Sequence, residues 1–324
     1  WANHEIQTCV KIAQKYPKNY YAWTHRSFVV RTLVELRHGT HERNANGNGN
    51  GKGKDKDKDI IIIIPTTVHS NALGRIRELL QSEIDSIDPW LRRHVSDHSA
   101  AHYGGEVLRL FLQVQAERSE DDGGAEEKDK DEDEDEEDGT TGACGSRIIL
   151  KNLQWNIGYM QEKLQACRDL VRMHPSHQVI WIWRRICSRL FLEGMSKLEN
   201  TGTGTCLDDQ SEEEAAAIES FLQSAMEEFI AKELYEILLH EVNGLTSFDD
   251  HNRDNGGNDN DVHQEHDTFS SAYILWILRS AKRFNLYERL ASASSRLDLV
   301  SLEMELIQSL ACDESAPSNL WRHL

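Results

Sequence analysis

The chain has 324 residues, and its 36 lysines and arginines against 55 aspartates and glutamates give a formal net charge of −19 at pH 7. Residues 120–138 carry 14 acidic and 2 basic side chains and residues 249–267 carry 7 and 1, so the rest of the chain is close to neutral. Acidic runs repel phosphate, and no long basic stripe offsets them, which argues against nucleic acid as a partner.

The sequence shows no secretory-signal pattern and no apolar run of membrane-spanning length. Its six cysteines include no Cys-x-x-Cys pair. We therefore expect reduced, mostly buried thiols in a cytoplasmic protein without a membrane span.

Helices in antiparallel pairs are predicted along most of the chain, because apolar residues recur every three or four positions. Pro17, Asp88-Pro89 and His174-Pro175 separate the two helices of successive pairs. The predicted helices are, in chain order, 3–16, 20–37, 67–87, 98–117, 148–173, 177–193, 211–241, 268–283 and 285–311.

Three polar insertions interrupt this pattern, at about 39–59, 119–146 and 244–267. They lack the apolar residues that would offset the entropy of ordering the chain, so we expect them to be disordered. Each helix hairpin buries one face only and needs its neighbours. The predicted fold is therefore all-α, a right-handed α-α superhelix of helix hairpins that forms one domain over 1–324, with a concave surface suited to a large protein partner.

A short motif stands at the start of the second predicted helix, where residues 19–26 read Asn-Tyr-Tyr-Ala-Trp-Thr-His-Arg. Asn19 is placed to accept a hydrogen bond from a free N–H of the first turn. Trp23 and Arg26 are three residues apart and share one helix face. We expect the tryptophan to fill a gap between stacked helices and the arginine to brace helix ends in its own repeat.

Further copies of this motif are more divergent. In residues 97–104, Ala101 stands at the tryptophan position and Gly104 at the arginine position. A third copy keeps both residues of the pair, Trp181 and Arg184. A unit that recurs in this way is typical of helical-repeat proteins.

The two ends of the sequence indicate that the chain is a fragment. The last residues include Asn319-Leu320-Trp321, which is similar to the opening of another copy. The first residue is Trp1 rather than an initiator methionine. Taken over the copies at 19–26, at 181–184 and at the end of the sequence, the predicted structural repeat motif consists of Asn19, Trp23, Arg26, Trp181, Arg184 and Trp321.

The first copy matches the Asn-Tyr-x-Ala-Trp-x-x-Arg repeat of protein prenyltransferase alpha subunits at Asn19, Tyr20, Ala22, Trp23 and Arg26. The chain resembles that family, and its divergent copies and large insertions are most similar to the alpha-like subunit of a third type of geranylgeranyltransferase. The resemblance implies a heterodimer whose beta subunit holds zinc and the isoprenoid diphosphate. The pair would transfer a geranylgeranyl group to a cysteine in the C-terminal region of a protein substrate, and this chain alone would be inactive.

Two residues of the first copy receive a catalytic interpretation from the same resemblance. It implies that Lys18 approaches the diphosphate over the partner's active site and that Tyr20 lies at the protein–protein boundary. A cation there would stabilise charge that develops on the leaving diphosphate. The simpler interpretation is that Lys18 is a solvated residue in the turn between two helices.

A non-enzymatic helical-repeat scaffold for protein interactions is the alternative, and the degenerate second copy favours it. A self-sufficient enzyme has little support, because the sequence shows no metal-binding spacing, no glycine-rich phosphate loop and no nucleophile motif. No metal ligand is assigned in this chain.

Overall fold

A computed structural model describes residues 1–45, 66–116, 141–204, 211–235, 237, 260–294 and 298–312. Every regular element within these ranges is a helix, which confirms the predicted all-α fold. Trp321 and most of the three predicted insertions lie outside the described residues. None of the helices over the described ranges is long and apolar enough to cross a membrane.

The chain forms two compact units, Trp1–Gly145 and Ser146–Leu324, and the boundary falls in the first turns of one helix. The prediction of a single superhelical domain stays a prediction, and each unit is described by itself. The first unit contains α1 (Ala2–Lys15), α2 (Tyr20–Ala45), α3 (Thr66–Arg93) and α4 (His98–Ala116).

The first hairpin, α1 and α2, begins with a helix whose apolar residues repeat at helical spacing. Ile6, Cys9 and Ala13 are all buried and form its inner face. The turn after α1 contains Pro17, which cannot continue a helix. The helix that follows runs to residue 45, which is eight residues beyond its predicted end and inside the first predicted insertion.

The prediction that α3 ends at Asp88-Pro89 is wrong, because the helix continues through Pro89 to Arg93. A proline inside a helix costs about 3 kcal/mol. The residues after it offset this cost, since Trp90 and Leu91 are 6 % and 0 % exposed and a fully buried large apolar side chain contributes about 1.5–3 kcal/mol.

The second unit begins with a hairpin of two long helices. α5 (Thr141–Met173) and α6 (Gln178–Gly204) are joined by a turn that contains Pro175. Cys167 and Cys187 are buried across this hairpin, with their sulfurs 3.6 Å apart as free thiols. The first turns of α5 lie inside the second predicted insertion.

The rest of the second unit departs from prediction in three places. The helix expected at 268–283 begins at Asn260, eight residues earlier and inside the third predicted insertion. The helix expected at 211–241 is α7 (Ser211–Ile230) followed by a π-helical turn, Ala231–Tyr235. The helix expected at 285–311 is split, because Asp298 accepts hydrogen bonds from the backbone N–H groups of Val300 and Ser301 and so starts a new helix. The last three helices are α8 (Asn260–Arg283), α9 (Tyr287–Ala293) and α10 (Leu299–Cys312).

Candidate functional site

A buried cluster joins α2 to α3 and α4 in the first unit. Arg26 donates from Nε to Oε2 of Glu83 at 2.5 Å, and the hydroxyl of Tyr103 donates to the same carboxylate oxygen. The guanidinium carbon of Arg26 lies 5.2 Å from the ring centre of Trp23 and 5.0 Å from that of Tyr103. Arg26 therefore braces the next hairpin, and the expectation that it braces its own repeat is wrong.

Asp97 completes the packing around Trp23. Its Oδ2 accepts hydrogen bonds from the indole N–H groups of Trp23 at 3.1 Å and Trp90 at 3.0 Å. Its Oδ1 accepts from the backbone N–H of Ala100 at 3.2 Å, which caps the N-terminus of α4. Asp97 is only 1 % exposed. Its carboxylate is therefore a buried acceptor that is shared by three N–H donors from two hairpins.

A second buried cluster has the same plan in the second unit. Arg184 donates from Nε to Oε2 of Glu233 at 2.8 Å, and Arg168 donates from Nη1 to Oε1 at 2.5 Å. The hydroxyl of Tyr273 donates to Oε2 of Glu233 at 2.6 Å and also lies 2.6 Å from Oγ of Ser188. Glu233 sits in the π-helical turn and has no exposed surface. Arg184, like Arg26, braces a helix outside its own hairpin.

The two clusters share one arrangement of residue types. In each, an arginine on the second helix of a hairpin pairs with a glutamate from a later helical segment, and a tyrosine from the following helix donates to the same glutamate. The tryptophan three residues before the arginine packs against that tyrosine ring. The rings of Trp181 and Tyr273 are 5.6 Å apart, and the guanidinium of Arg184 lies over both. They differ at the indole, because Trp181 donates to the backbone carbonyl of Pro175 in its own hairpin at 2.8 Å.

Electrostatics fix the protonation states in the second cluster. Burial raises the pKa of Glu233, but the guanidinium groups of Arg184 and Arg168 outweigh it, so the pKa stays below its usual range. Burial opposes the charge of Arg184, and Glu233 outweighs that effect and raises its pKa. Burial and the Glu233 anion raise the pKa of Tyr273 well above its usual range. At neutral pH the cluster is therefore a fixed ionic link between helices, with no group poised to exchange a proton.

Lys18, the first candidate catalytic residue, lies in the exposed turn between α1 and α2. Its backbone has a φ of 66°, in the left-handed region that non-glycine residues seldom adopt. Asn19 follows it and accepts a hydrogen bond at Oδ1 from the backbone N–H of Ala22 at 3.2 Å. Tyr20 is 62 % exposed, so the first copy presents Lys18 and Tyr20 to solvent. Trp23, by contrast, is buried.

An open groove of about 700 Å³ runs between α2 and α4 beside this turn. Exposed aromatic rings line it, since Phe28 is 59 % exposed and Tyr20 is 62 % exposed. Burial, His102 and the cation of Lys18 lower the pKa of His98, which lines the groove, and Asp97 opposes them. The lining residues are Tyr20, Trp23, Thr24, Ser27, Phe28, Arg31, His98, Ser99, His102, Tyr103 and Glu106.

The described part of the chain contains no group of three histidine, cysteine, aspartate or glutamate side chains that could hold a metal ion. The candidate functional surface consists of the groove between α2 and α4 and the turn that holds Lys18. Both lie at the protein surface, whereas the two clusters are buried.

Sequence reasoning found the tryptophan and arginine of each cluster but missed their acceptors. A sequence pattern could have identified the two tyrosines. Residues 97–103 and 267–273 share an aspartate, two small residues and a tyrosine at equal spacing. Glu83 and Glu233 carry a weaker signal, since each directly precedes a buried apolar residue of its helix. An acid at such a position calls for a buried partner.

Comparison with known proteins gives one family match. Residues 2–33, which span α1 and the first half of α2, match the protein prenyltransferase alpha subunit repeat. This range contains the exposed Lys18 turn together with Trp23 and Arg26. No solved structure matches the chain.

Several curated proteins are similar to the chain at low identity. Protein prenyltransferase alpha subunit repeat-containing protein 1 of Danio rerio is 24 % identical over 181 residues, 56 % of this chain and 31 % of its own length. The Homo sapiens protein of that name is 24 % identical over 183 residues, 56 % and 34 % of the two chains. The 1-A protein of Xenopus laevis is 23 % identical over 217 residues, 64 % and 39 % of the two chains.

The matched part thus spans about a third of the length of these relatives. The repeat match falls on the hairpin whose motif residues carried the resemblance in the sequence. Residues 2–33 are therefore a protein prenyltransferase alpha subunit repeat, and the resemblance of this chain to the repeat-containing proteins of that family is confirmed.

Proposed function

We propose that this chain acts as the alpha-type subunit of a heterodimeric protein prenyltransferase. In this proposal a beta subunit holds zinc and the isoprenoid diphosphate, and the pair transfers a geranylgeranyl group to a cysteine in the C-terminal region of a protein substrate. The observation that carries it is the repeat at residues 2–33, which buries Trp23 and Arg26 while it leaves Lys18 and Tyr20 exposed.

The groove between α2 and α4 supports a protein partner on this face. Exposed Tyr20 and Phe28 offer apolar area, and large aromatic side chains are enriched at protein interfaces. Lys18 lies in a turn next to this groove, where its cation would stabilise charge on a departing diphosphate held by the partner. The proposal places the complex in the cytoplasm, where the free thiols of Cys9, Cys167 and Cys187 stay reduced.

Co-purification followed by a transfer assay tests this proposal. The chain is co-expressed with each prenyltransferase beta subunit of the same organism, and the purified material is assayed with farnesyl and geranylgeranyl diphosphate. We expect a stable heterodimer that transfers the geranylgeranyl group, and no transfer by the chain alone. Transfer by the isolated chain, or transfer that prefers the farnesyl donor, contradicts the proposal. Absence of any beta subunit from the purified chain leaves the non-enzymatic scaffold as the function.

The substitution Lys18→Asn separates a role in transfer from a role in the turn. Asparagine tolerates the left-handed backbone that Lys18 adopts, so the fold of the turn is kept while the cation is lost. We expect kcat of the heterodimer to fall roughly 10- to 100-fold, because one stabilising charge is removed from the transition state. Steady-state kinetics with geranylgeranyl diphosphate measure this effect.

Lys11→Gln is the matched control, since it removes an exposed lysine from α1 and leaves the turn intact. It is expected to leave kcat within a factor of about two, as surface substitutions away from a site do. If Lys18→Asn behaves like Lys11→Gln, Lys18 is only a turn residue and the simpler interpretation holds.

A further inference from the structure

Two adjacent arginines on α6 have different surroundings. Arg184 is paired with Glu233. Arg185 instead places its guanidinium 5.6 Å from the ring centre of Trp276 on α8, in the same unit. Its Nε is buried, and among the described residues no oxygen accepts a hydrogen bond from it. Arg185 is thus a cation that this part of the chain stacks on an indole but does not neutralise.

The energetics of Arg185 favour an anion that comes from outside the described residues. Burial lowers the pKa of Arg185, whereas the pKa of Arg184 is raised because the carboxylate of Glu233 outweighs burial. An arginine stays protonated in proteins, so its partly desolvated charge remains without compensation. An anion that binds the guanidinium would compensate this charge.

The surroundings of Arg185 indicate which anion fits. The arginine one turn further along, Arg189, is already paired with Glu193 at 2.8 Å. Arg185 also lies beyond the first turn of α6, whose free N–H groups would otherwise help to bind phosphate. The site therefore offers one planar guanidinium beside one indole face. A carboxylate matches this fork with two parallel hydrogen bonds, whereas the higher charge of a diphosphate calls for several donors.

In its copy of the repeat motif, Arg185 stands at the position that lines the groove in the first copy. Arg185 follows Trp181 by four residues, as Ser27 follows Trp23, and Ser27 lines the groove between α2 and α4. Trp276 stacks on Tyr273 of the buried cluster, with ring centres 6.3 Å apart, so the indole under Arg185 has fixed support. Tryptophan and arginine are also the residue types that most often dominate binding energy at protein interfaces.

We propose that Arg185 and Trp276 form an anchor for one carboxylate of a protein partner, an aspartate or glutamate side chain presented by the beta-type subunit. The identity of this partner rests on the proposed function, but the carboxylate site itself does not. The anchor pairs the guanidinium of Arg185 bidentately with that carboxylate while the indole of Trp276 shields one face from water.

The first experiment measures the affinity of the full chain for the purified beta subunit by isothermal titration calorimetry. Arg185→Gln is expected to weaken binding about 10- to 100-fold, because the partner's carboxylate is left buried and unpaired. Arg185→Lys restores only part of this loss, since an ammonium lacks the planar fork. The matched control is Arg189→Gln, which removes the next arginine along α6 and leaves affinity within about twofold. Equal affinities for Arg185→Gln and the unaltered chain overturn the proposal.

The second experiment tests the site without the beta subunit, so its failure is distinguishable from failure of the proposed function. The Nε–Hε signal of Arg185 is assigned in 15N spectra by its loss in Arg185→Gln. It is then followed during titration with sodium acetate, phosphate or diphosphate at constant ionic strength. We expect acetate to shift the signal in a saturable way and phosphate to act no more strongly. A tighter response to diphosphate assigns the site to a phosphorylated ligand, and no response to any anion removes it; either result overturns the carboxylate anchor.

Thermal unfolding of the free chain completes the test. Arg185→Gln is expected to leave the melting temperature unchanged or slightly higher, because it removes an unpaired, partly desolvated charge. Arg184→Gln, which breaks the pair with Glu233, is expected to lower it by several degrees. If the two variants are destabilised equally, Arg185 has a structural role and the anchor is rejected.

Discussion

Replacing Glu233 with glutamine is expected to destabilise the second unit by about 3–5 kcal/mol, because a buried ion pair loses one of its partners. Glutamine has nearly the same shape, so the loss arises from charge and not from a cavity. Arg168 and Arg184, which are 4 % and 3 % exposed, would be left as buried cations without a carboxylate. Urea unfolding followed by circular dichroism measures the change in the free energy of unfolding.

Hydrogen exchange with mass spectrometry locates the effect of Glu233→Gln within the chain. We expect faster exchange in α5, α6, α7 and α8, because the carboxylate of Glu233 links these helices through Arg168, Arg184 and Tyr273. The control is Glu228→Gln, which lies just before the π-helical turn and removes a surface ion pair with Lys232, while the glutamine oxygen can still accept from Gln161. A surface pair contributes at most about 1 kcal/mol, so this variant should stay close to the unaltered chain. Equal losses in the two variants would show that the buried cluster does not stabilise the unit.

The same cluster predicts how stability depends on pH. The folded pKa of Glu233 lies below its usual range because Arg184 and Arg168 outweigh burial. The stability that Glu233 contributes is therefore fully present above the unfolded pKa, about 4.3 for glutamate, and is lost as the pH falls through the folded pKa. We expect the second unit to lose protection against exchange below about pH 4, and Glu233→Gln to flatten this dependence. Parallel pH profiles for the two proteins would contradict this assignment.

The sequence predicts one half of each buried cluster, and the reason is local. Trp23 and Arg26 are three residues apart on one helix, so their spacing alone places them on one face. The acceptor Glu83 lies 57 positions after Arg26, beyond the first predicted insertion. Its pairing is fixed by how two hairpins stack, which the periodicity of a single helix does not specify. The all-α class was predictable for the same reason, because it depends on periodicity within each helix.

Helix ends were predicted less well than helix positions, since tertiary packing decided them. Pro89 is a strong local stop signal, yet burial of Trp90 and the bond from its indole to Asp97 carry α3 one turn further. In the second unit, apolar spacing alone predicted a single helix at 285–311. The carboxylate of Asp298 instead caps a separate helix there. A side chain that accepts hydrogen bonds from the backbone can start a new helix within a continuous apolar pattern. Apolar spacing alone does not predict whether an aspartate forms such bonds.

Asp97→Ala is expected to destabilise the first unit by about 3–7 kcal/mol, because three buried donors lose their acceptor. The substitution removes the helix cap from α4, which costs about 1 kcal/mol. It also leaves the indole N–H groups of Trp23 and Trp90 buried without an acceptor, at about 1–3 kcal/mol each. Urea unfolding measures the total, and hydrogen exchange should place the loss in α2, α3 and α4.

Two variants separate the contributions within this prediction. Asp97→Ser keeps a capping oxygen for the backbone N–H of Ala100 but is too short to serve both indoles, so it should recover only about 1 kcal/mol. Trp90→Phe removes one of the unsatisfied donors, so adding Asp97→Ala to it should cost less than in the unaltered chain. If Asp97→Ala costs the same with and without Trp90, the indole bond of Trp90 does not contribute to stability. Asp97 would then act as the helix cap and as the acceptor of Trp23 alone, and Trp90 would contribute through the packing of its ring on that of Trp23, 5.2 Å away.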